Sequence, residues 1–344
     1  MTWMLYGANG YTGELIAELA VRRGQRPVLA GRSAAKIAPL AERLGLEHRE
    51  FGLDHAAAAL EDIDLVAHCA GPFSATARPM VDACLASGTH YVDITGEIDV
   101  FEAVAARDAE AKAAGVVLLP GAGFDVVPTD CVAAMLAEAL PGATHLDLAF
   151  AVGGGMSPGT SKTSVEGSAS GGRVRADGEL RHVRIGHRRR SAAFRSGARD
   201  VGSIPWGDVS TAYRSTGIPN ITTFTLVPGL IGHLQALFAP LLRTPLVQDF
   251  GKAVAQRVSG PDEQLRGKTR SEVWGEVSDA EGHTVSVALT GPNGYDLTAD
   301  AVVRAVERLL AGGVPAGAHT PSSAFGADFV RELDGVVVDE LVRT

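Results

Sequence analysis

The sequence predicts an α/β protein in which an N-terminal doubly wound parallel sheet is followed by a second α+β domain built on an antiparallel sheet. Three observations predict it. The first 140 residues alternate short apolar, β-branched runs with amphipathic helical stretches. A glycine-rich turn, GANGYTG, separates the first such run from the first helical stretch. Past residue 141 the pattern changes to longer strands that fold back at turn signals. A chain of 344 residues has room for two domains of about 150 residues each.

Taken in order, strands are expected at 2–6, 27–30, 64–69, 90–93 and 116–119, each a short apolar run ending in glycine or a polar residue. Helices are expected at 11–23, with Leu15, Ile16, Leu19 and Ala20 on one face, and at 34–44, 78–87 and 100–114. In the second domain, strands are expected over 143–152, over 172–185 around the Asp177-Gly178 turn, and over 269–289 around Asp279 to Gly282. Helices are expected there at 251–258 and 300–310. These elements place the domains at 1–140 and 141–311.

Composition narrows the function. The formal charge is −9, from 31 Lys and Arg against 40 Asp and Glu, which argues against a nucleic-acid partner, since phosphate-tracking surfaces carry a clustered cationic excess. The basic stretch 181–190 alternates with apolar residues after a hairpin turn and reads as a solvated strand. Cys69, Cys84 and Cys131 are too scattered for a disulfide framework or a metal site, so no metal is expected and a reducing cytoplasm fits. The start runs directly into the glycine turn, with no secretory signal pattern. Residues 226–242 are mostly apolar but interrupted by Pro228, Gly229, Gly232, His233, Gln235 and Pro240; this excludes a transmembrane segment and leaves a pocket-lining helix or a membrane-surface contact. Unpaired strand edges over 269–289 predict a homodimer.

The turn Gly7-Ala8-Asn9-Gly10-Tyr11-Thr12-Gly13 is G-x-x-G-x-x-G between a strand and a helix, the pattern of a dinucleotide site: glycines let the backbone approach a pyrophosphate, and the helix N-terminus offers free N–H groups. The second strand ends Leu29-Ala30-Gly31-Arg32-Ser33, with no acid to accept a ribose 2′-hydroxyl. A guanidinium at that point pairs with a 2′-phosphate, so NADP(H) is expected over NAD(H). Lys36 either adds a second cation or is an ordinary exposed lysine. The strand at 64–69 runs into Ala70, Gly71, Pro72 and Phe73, where Gly71 permits close approach; Pro72 and Phe73 form either a stiff wall along the cofactor or a simple turn with a core phenylalanine.

Several blocks resemble the saccharopine dehydrogenase-like NADP-binding oxidoreductases, in particular the trans-acting enoyl reductase branch. They are GANGYTGELIAELAVRRG (7–24), LAGRSAAKIAPLAERLG (29–45), AGPFSATARPMVDACLASGTHYVDITGE (70–97) and GAGFDVVPTD (121–130), with GPNGYDLTADAVVRAVERLL (291–310) and GGVPAGAHTPSSAFGADFVREL (312–333) later in the chain. Residues 150–310 resemble the family only loosely. The resemblance implies an N-terminal Rossmann domain, with Gly7, Gly10, Tyr11, Thr12, Gly13, Arg32, Gly71, Pro72 and Phe73 at cofactor positions, beside Asn9, Ser33, Lys36 and Ala70 in the same loops. It also implies that 312–344 packs back on the first domain.

None of the five tyrosines, Tyr6, Tyr11, Tyr91, Tyr213 and Tyr295, is followed four residues later by lysine, so the tyrosine–lysine pair of short-chain dehydrogenases is absent. Reduction of a polarised C=C or C=N needs only orientation and a proton source. Thr95-Gly96-Glu97, Phe124-Asp125 and Thr129-Asp130 offer carboxylates and hydroxyls at the expected site, with helix capping as their simpler role. Lys162, in GGGMSPGTSKTSVEG, either anchors a substrate carbonyl or is an exposed loop lysine. Two functions follow: an NADPH-dependent reductase of an enoyl or imine group on a hydrophobic metabolite, polyketide or lipid-linked substrate, or a non-catalytic NADP(H)-binding regulator.

Overall fold

The computed structural model describes residues 1–155, 157, 161, 171–227 and 260–344. The chain divides into two compact units, one made of 1–127 with 295–325 and the other of 128–294 with 326–344.

In the first unit, seven parallel strands stand in the order β15-β6-β5-β4-β1-β2-β3: β1 (Trp3–Tyr6), β2 (Val28–Gly31), β3 (His48–Glu50), β4 (Leu65–His68), β5 (His90–Asp93), β6 (Val117–Leu119) and β15 (Gly317–Ala318). Order reverses between β1 and β4, which opens a crevice at their carboxyl ends. β1, β2 and β4 are buried at every position, as strands covered on both faces must be. Helices α1 (Tyr11–Arg22), α2 (Ala34–Leu44), α3 (Ala56–Ala59), α4 (Phe73–Ser87), α5 (Ile98–Ala105) and α6 (Asp108–Ala114) complete the windings. α2, α4 and α6 stop at Gly45, Gly88 and Gly115, each in the left-handed conformation that glycine adopts most readily. The helix expected at 100–114 is two helices, and its break falls at Arg107, whose guanidinium leaves the helix axis to pair with Asp82 at 2.6 Å and Glu110 at 2.5 Å.

The second unit carries β7 (His145–Val152), β8 (Gly172–Ala176), β9 (Glu179–Val183), β10 (Arg189–Phe194), β11 (Gly197–Ile204), β12 (Asn220–Thr225), β13 (Ser271–Ser278), β14 (Thr284–Gly291), β16 (Val337–Val338) and β17 (Val342–Arg343) in one mixed sheet, with α7 (Val127–Ala139), α8 (Asp208–Thr216) and α9 (Glu263–Lys268). The sheet is antiparallel except where β12 runs parallel to β7. Asp177 and Gly178, at φ 53° and 80°, turn β8 into β9 as their sequence predicts.

Four expectations are corrected. The first unit ends at Val127 rather than 140, because α7 packs in the second: a Cβ on Gly275 of β13 would lie 2.6 Å from Val132 and 2.8 Å from Leu136. The C-terminal part does not return whole to the first unit: β15 pairs with β6, whereas β16 and β17 pair with β14. α10 (Gly294–Leu310), placed in the second domain by sequence, sits in the first, tied by Arg23–Asp300 at 2.7 Å and Gln25–Glu307 at 2.6 Å; α11 (Pro321–Phe325) follows it there. The edges expected free over 269–289 are occupied, since β13 lies between β7 and β14, and β14 carries β16 and β17. The ground on which the homodimer was expected is therefore gone. Residues 228–259, with most of the apolar stretch and the helix expected at 251–258, lie outside the described residues. Among the described residues no helix is long and apolar enough to cross a membrane.

Candidate cofactor site

The glycine turn follows β1 directly, and its three glycines answer to different demands. Gly7 has φ 85°, and a Cβ there would come within 2.8 Å of the Ala70 nitrogen, so the loops after β1 and β4 touch at the strand-order reversal. A Cβ on Gly13 would lie 2.5 Å from the Gly7 carbonyl oxygen. Gly10 caps α1 and brings no side chain to it. The Gly7 amide donates to Ala30 O at 2.8 Å and Gly10 N to Gly7 O at 3.0 Å, which holds the turn against β2. No acceptor among the described residues takes the amides of Thr12 and Gly13, first-turn donors that a helix leaves over. The arrangement is a cradle that any side chain would fill, and it fits a pyrophosphate.

Arg32 is exposed immediately after β2, and Ser33 caps α2 with extended backbone, its carbonyl accepting from Lys36 N at 3.1 Å. Lys36 is exposed one turn along. Asn9 approaches the same edge: its Oδ1 would be 3.4 Å from a Cβ on Gly31. Tyr11 meets Tyr295 edge-on, with ring centroids 4.9 Å apart.

On the other side of the reversal, Gly71–Pro72 is a cis peptide and α4 starts at Phe73, five residues before its expected start. Phe73 is buried, with its ring edge-on to His68 at 5.5 Å, while Gly71 is exposed. The structure thus brings Gly7, Asn9, Gly10, Tyr11, Thr12, Gly13, Arg32, Ser33, Lys36, Ala70, Gly71, Pro72 and Phe73 to one carboxyl edge; Lys162 lies outside the described residues.

Several side chains that frame this edge carry no motif. Thr76 Oγ1 lies 2.7 Å from Ala70 O and 3.0 Å from Pro72 O and from His68 Nε2. His68 is fully buried, and burial pushes its pKa down to about 3, so the imidazole is neutral. Asp93, at the end of β5, accepts from Tyr91 OH at 2.6 Å, Thr95 N at 2.9 Å and Gly121 N at 2.8 Å, and burial raises its pKa to about 6. Asp125 is likewise raised to about 6 by burial; it faces Gly96, where a Cβ would meet its Oδ2 at 2.8 Å. Of this second set the sequence offered Asp125 for its carboxylate, whereas His68, Thr76 and Asp93 were not singled out there.

Residues 3–119 match the family described as the saccharopine dehydrogenase NADP binding domain. The matched stretch is about a third of this chain and takes in β1 to β6. A protein named as a putative trans-acting enoyl reductase from Mycobacterium tuberculosis is 34% identical over 144 residues, which cover 37% of this chain and 33% of that relative. A trans-acting enoyl reductase from Mycobacterium leprae is 34% identical over 138 residues, with the same coverage. The chain's match therefore spans about a third of the length of these relatives. Among solved structures, apo saccharopine dehydrogenase (L-Glu forming) from Saccharomyces cerevisiae superposes with a TM-score of 0.65 at 13% identity, over 100% of this chain and 99% of that one. Amine dehydrogenase from Mycobacterium smegmatis gives 0.51 at 15% identity, over 94% and 95%. At these identities the likeness is one of fold. The matched residues contain both sides of the strand-order reversal, from the glycine turn to the loop after β5.

Proposed function

We propose that this chain is an NADPH-dependent reductase of a polarised double bond, enoyl C=C ahead of imine C=N, on a hydrophobic metabolite, polyketide or lipid-linked substrate. The observation that carries the reading is the close approach of Gly7 and Ala70 at the strand-order reversal, flanked by Arg32 at the end of a strand that offers no acid. In this reading the amides at the start of α1 hold the pyrophosphate, Arg32 pairs with the 2′-phosphate beside Ser33 and Lys36, and Ala70 to Phe73 wall the nicotinamide end. Bound NADPH supplies the hydride. The chain supplies orientation and a dry wall, through a turn whose backbone oxygens are already bonded by Thr76. The enoyl class is taken from the names of the Mycobacterium relatives, whose match covers 37% of this chain.

Lys162 is the proposed anchor for the substrate's carbonyl end, where its charge stabilises negative charge developing on oxygen. The three cysteines are free thiols, in keeping with a reducing cytoplasm. Assembly as a homodimer, if the β10 edge serves it, is checked by light scattering at micromolar concentration; a monomer removes it.

The test is NADPH oxidation, followed by absorbance, across a panel of enoyl thioesters and cyclic imines. Consumption with the enoyl set supports the reading, and Lys162→Met then lowers kcat/KM at least about tenfold, or about 1.4 kcal/mol, with NADPH affinity unchanged. NADPH that binds and is never consumed across the panel moves the assignment to an NADP(H)-binding regulator.

A further inference from the structure

Two helices begin at the strand-order reversal, α1 and α4, and their first amides are served differently. α1 has a glycine cap with no side-chain acceptor. α4 has Pro72 as its cap, also without a side-chain bond, yet its first two amides are filled from 23 residues or more away: Phe73 N donates to Glu97 Oε1 at 2.9 Å and Ser74 N to Glu97 Oε2 at 2.8 Å. Glu97 immediately precedes α5 in the chain, and its side chain makes no cap bond to that helix.

The loop that carries Glu97 is itself pinned. Glu97 N donates to Thr95 Oγ1 at 3.1 Å, and Thr95 N to Asp93 Oδ1 at 2.9 Å, the oxygen that also takes Gly121 N at 2.8 Å. The carboxylate is thus presented to α4 from a loop bonded to β5 and to the loop after β6. A charge on both first-turn amides is favoured by the helix dipole and by charge-assisted bonds. It also fills the one other helix N-terminus at the reversal, leaving α1 as the place for a phosphate.

We infer that Glu97 is a positioning residue for the nicotinamide end of the site: by holding Phe73 and Ser74 it fixes where the Gly71–Pro72 wall stands, and by occupying α4 it directs the pyrophosphate to α1. The inference rests on the cofactor reading above and deepens it.

The experiment measures NADPH and 2′,5′-ADP binding by calorimetry, with the nicotinamide fluorescence of bound NADPH as a second readout, in the wild-type chain, Glu97→Ala and Glu97→Gln. The isosteric Gln keeps one carbonyl acceptor and covers the case in which Ala fails to fold. For Glu97→Ala, NADPH weakens about tenfold, 2′,5′-ADP, which lacks the nicotinamide, stays within about twofold, and the bound-state fluorescence shifts toward that of free NADPH; Glu97→Gln falls between. Unchanged NADPH affinity and fluorescence in both variants overturns the inference. So does an equal loss of both probes in Glu97→Gln, which would make Glu97 a residue of the fold alone. A wild-type chain that binds neither probe overturns the cofactor reading itself, a result distinct from any failure of the variants.

Discussion

The carboxyl edge of the first unit and the mixed sheet of the second are tied in different ways. At the carboxyl edge of the parallel sheet the ties run from loop to loop, and backbone amides are the donors: Gly121 and Thr95 onto Asp93, Phe73 and Ser74 onto Glu97. In the mixed sheet the ties run from strand to strand between side-chain charges. Asp147 of β7 accepts from both Arg188 terminal nitrogens at 2.9 Å and from Arg190 at 2.5 Å, and Arg190 continues to Glu276 of β13 at 2.7 Å. The two guanidinium groups lie over Phe224 and Trp274, at 5.4 and 4.5 Å. Loop-to-loop ties fix backbone where a ligand must be met, whereas charge ties fix the register of a sheet.

The sharpest way to break this contrast is Asp147→Ala. It removes a buried carboxylate, leaving Arg190 with Glu276 and the exposed Arg188 with Thr222, and is expected to cost about 2–3 kcal/mol in urea unfolding, with NADPH affinity per folded molecule unchanged. A matching loss of NADPH affinity would show that the charge network also shapes the cofactor edge. Next in size is Gly13→Ala, whose Cβ would press on the Gly7 carbonyl at 2.5 Å and Ala8 Cα at 2.9 Å; backbone must move, at about 2–3 kcal/mol, and calorimetry should show NADPH weakened at least about tenfold.

Arg32→Ala is expected to weaken NADP(H) by about 1–3 kcal/mol and scarcely touch NAD(H), and equal loss of the two would remove the 2′-phosphate role. The smallest effect is a slope. Asp93 keeps its proton up to about pH 6 when folded and loses it near the ordinary value of 3.8 when unfolded, so its contribution to stability is full below about pH 4 and is lost as pH rises to 6. The stability of the wild-type chain minus that of Asp93→Asn should therefore fall by about 1 kcal/mol per pH unit between 4 and 6 and be flat above. His68, depressed to about 3, acts in the opposite sense as pH falls below 6.5, and it cancels in the difference because both proteins contain it. A flat difference would show that the three bonds to Asp93 outweigh its burial.

Much of the cofactor edge was legible because it depends on residues adjacent in sequence: a glycine turn between a strand and a helix, and Arg32 at a strand end. The start of α4 was not. Pro79 and the alanine-rich run around it point to a later start, and the carboxylate that caps the true one is Glu97, on the next crossover. Arg188 and Arg190 were equally hidden: the stretch 181–190, expected as a solvated strand, is the end of β9, a turn and the start of β10, and nothing in it shows that Asp147, some 40 residues earlier, takes both guanidinium groups.

By itself, the sequence determined the alternation that makes a doubly wound sheet, the glycine turn, the absence of an acid after β2, and the Asp177-Gly178 hairpin, because each is set by periodicity or by backbone freedom within a few residues. Only the tertiary structure decided that α7 packs with the second unit and α10 with the first, that the β13 edge is occupied, and that Glu97 serves α4 rather than its own helix. Those outcomes depend on which surfaces and which unmet amides meet after the chain has closed on itself, and chain separation carries no record of that meeting.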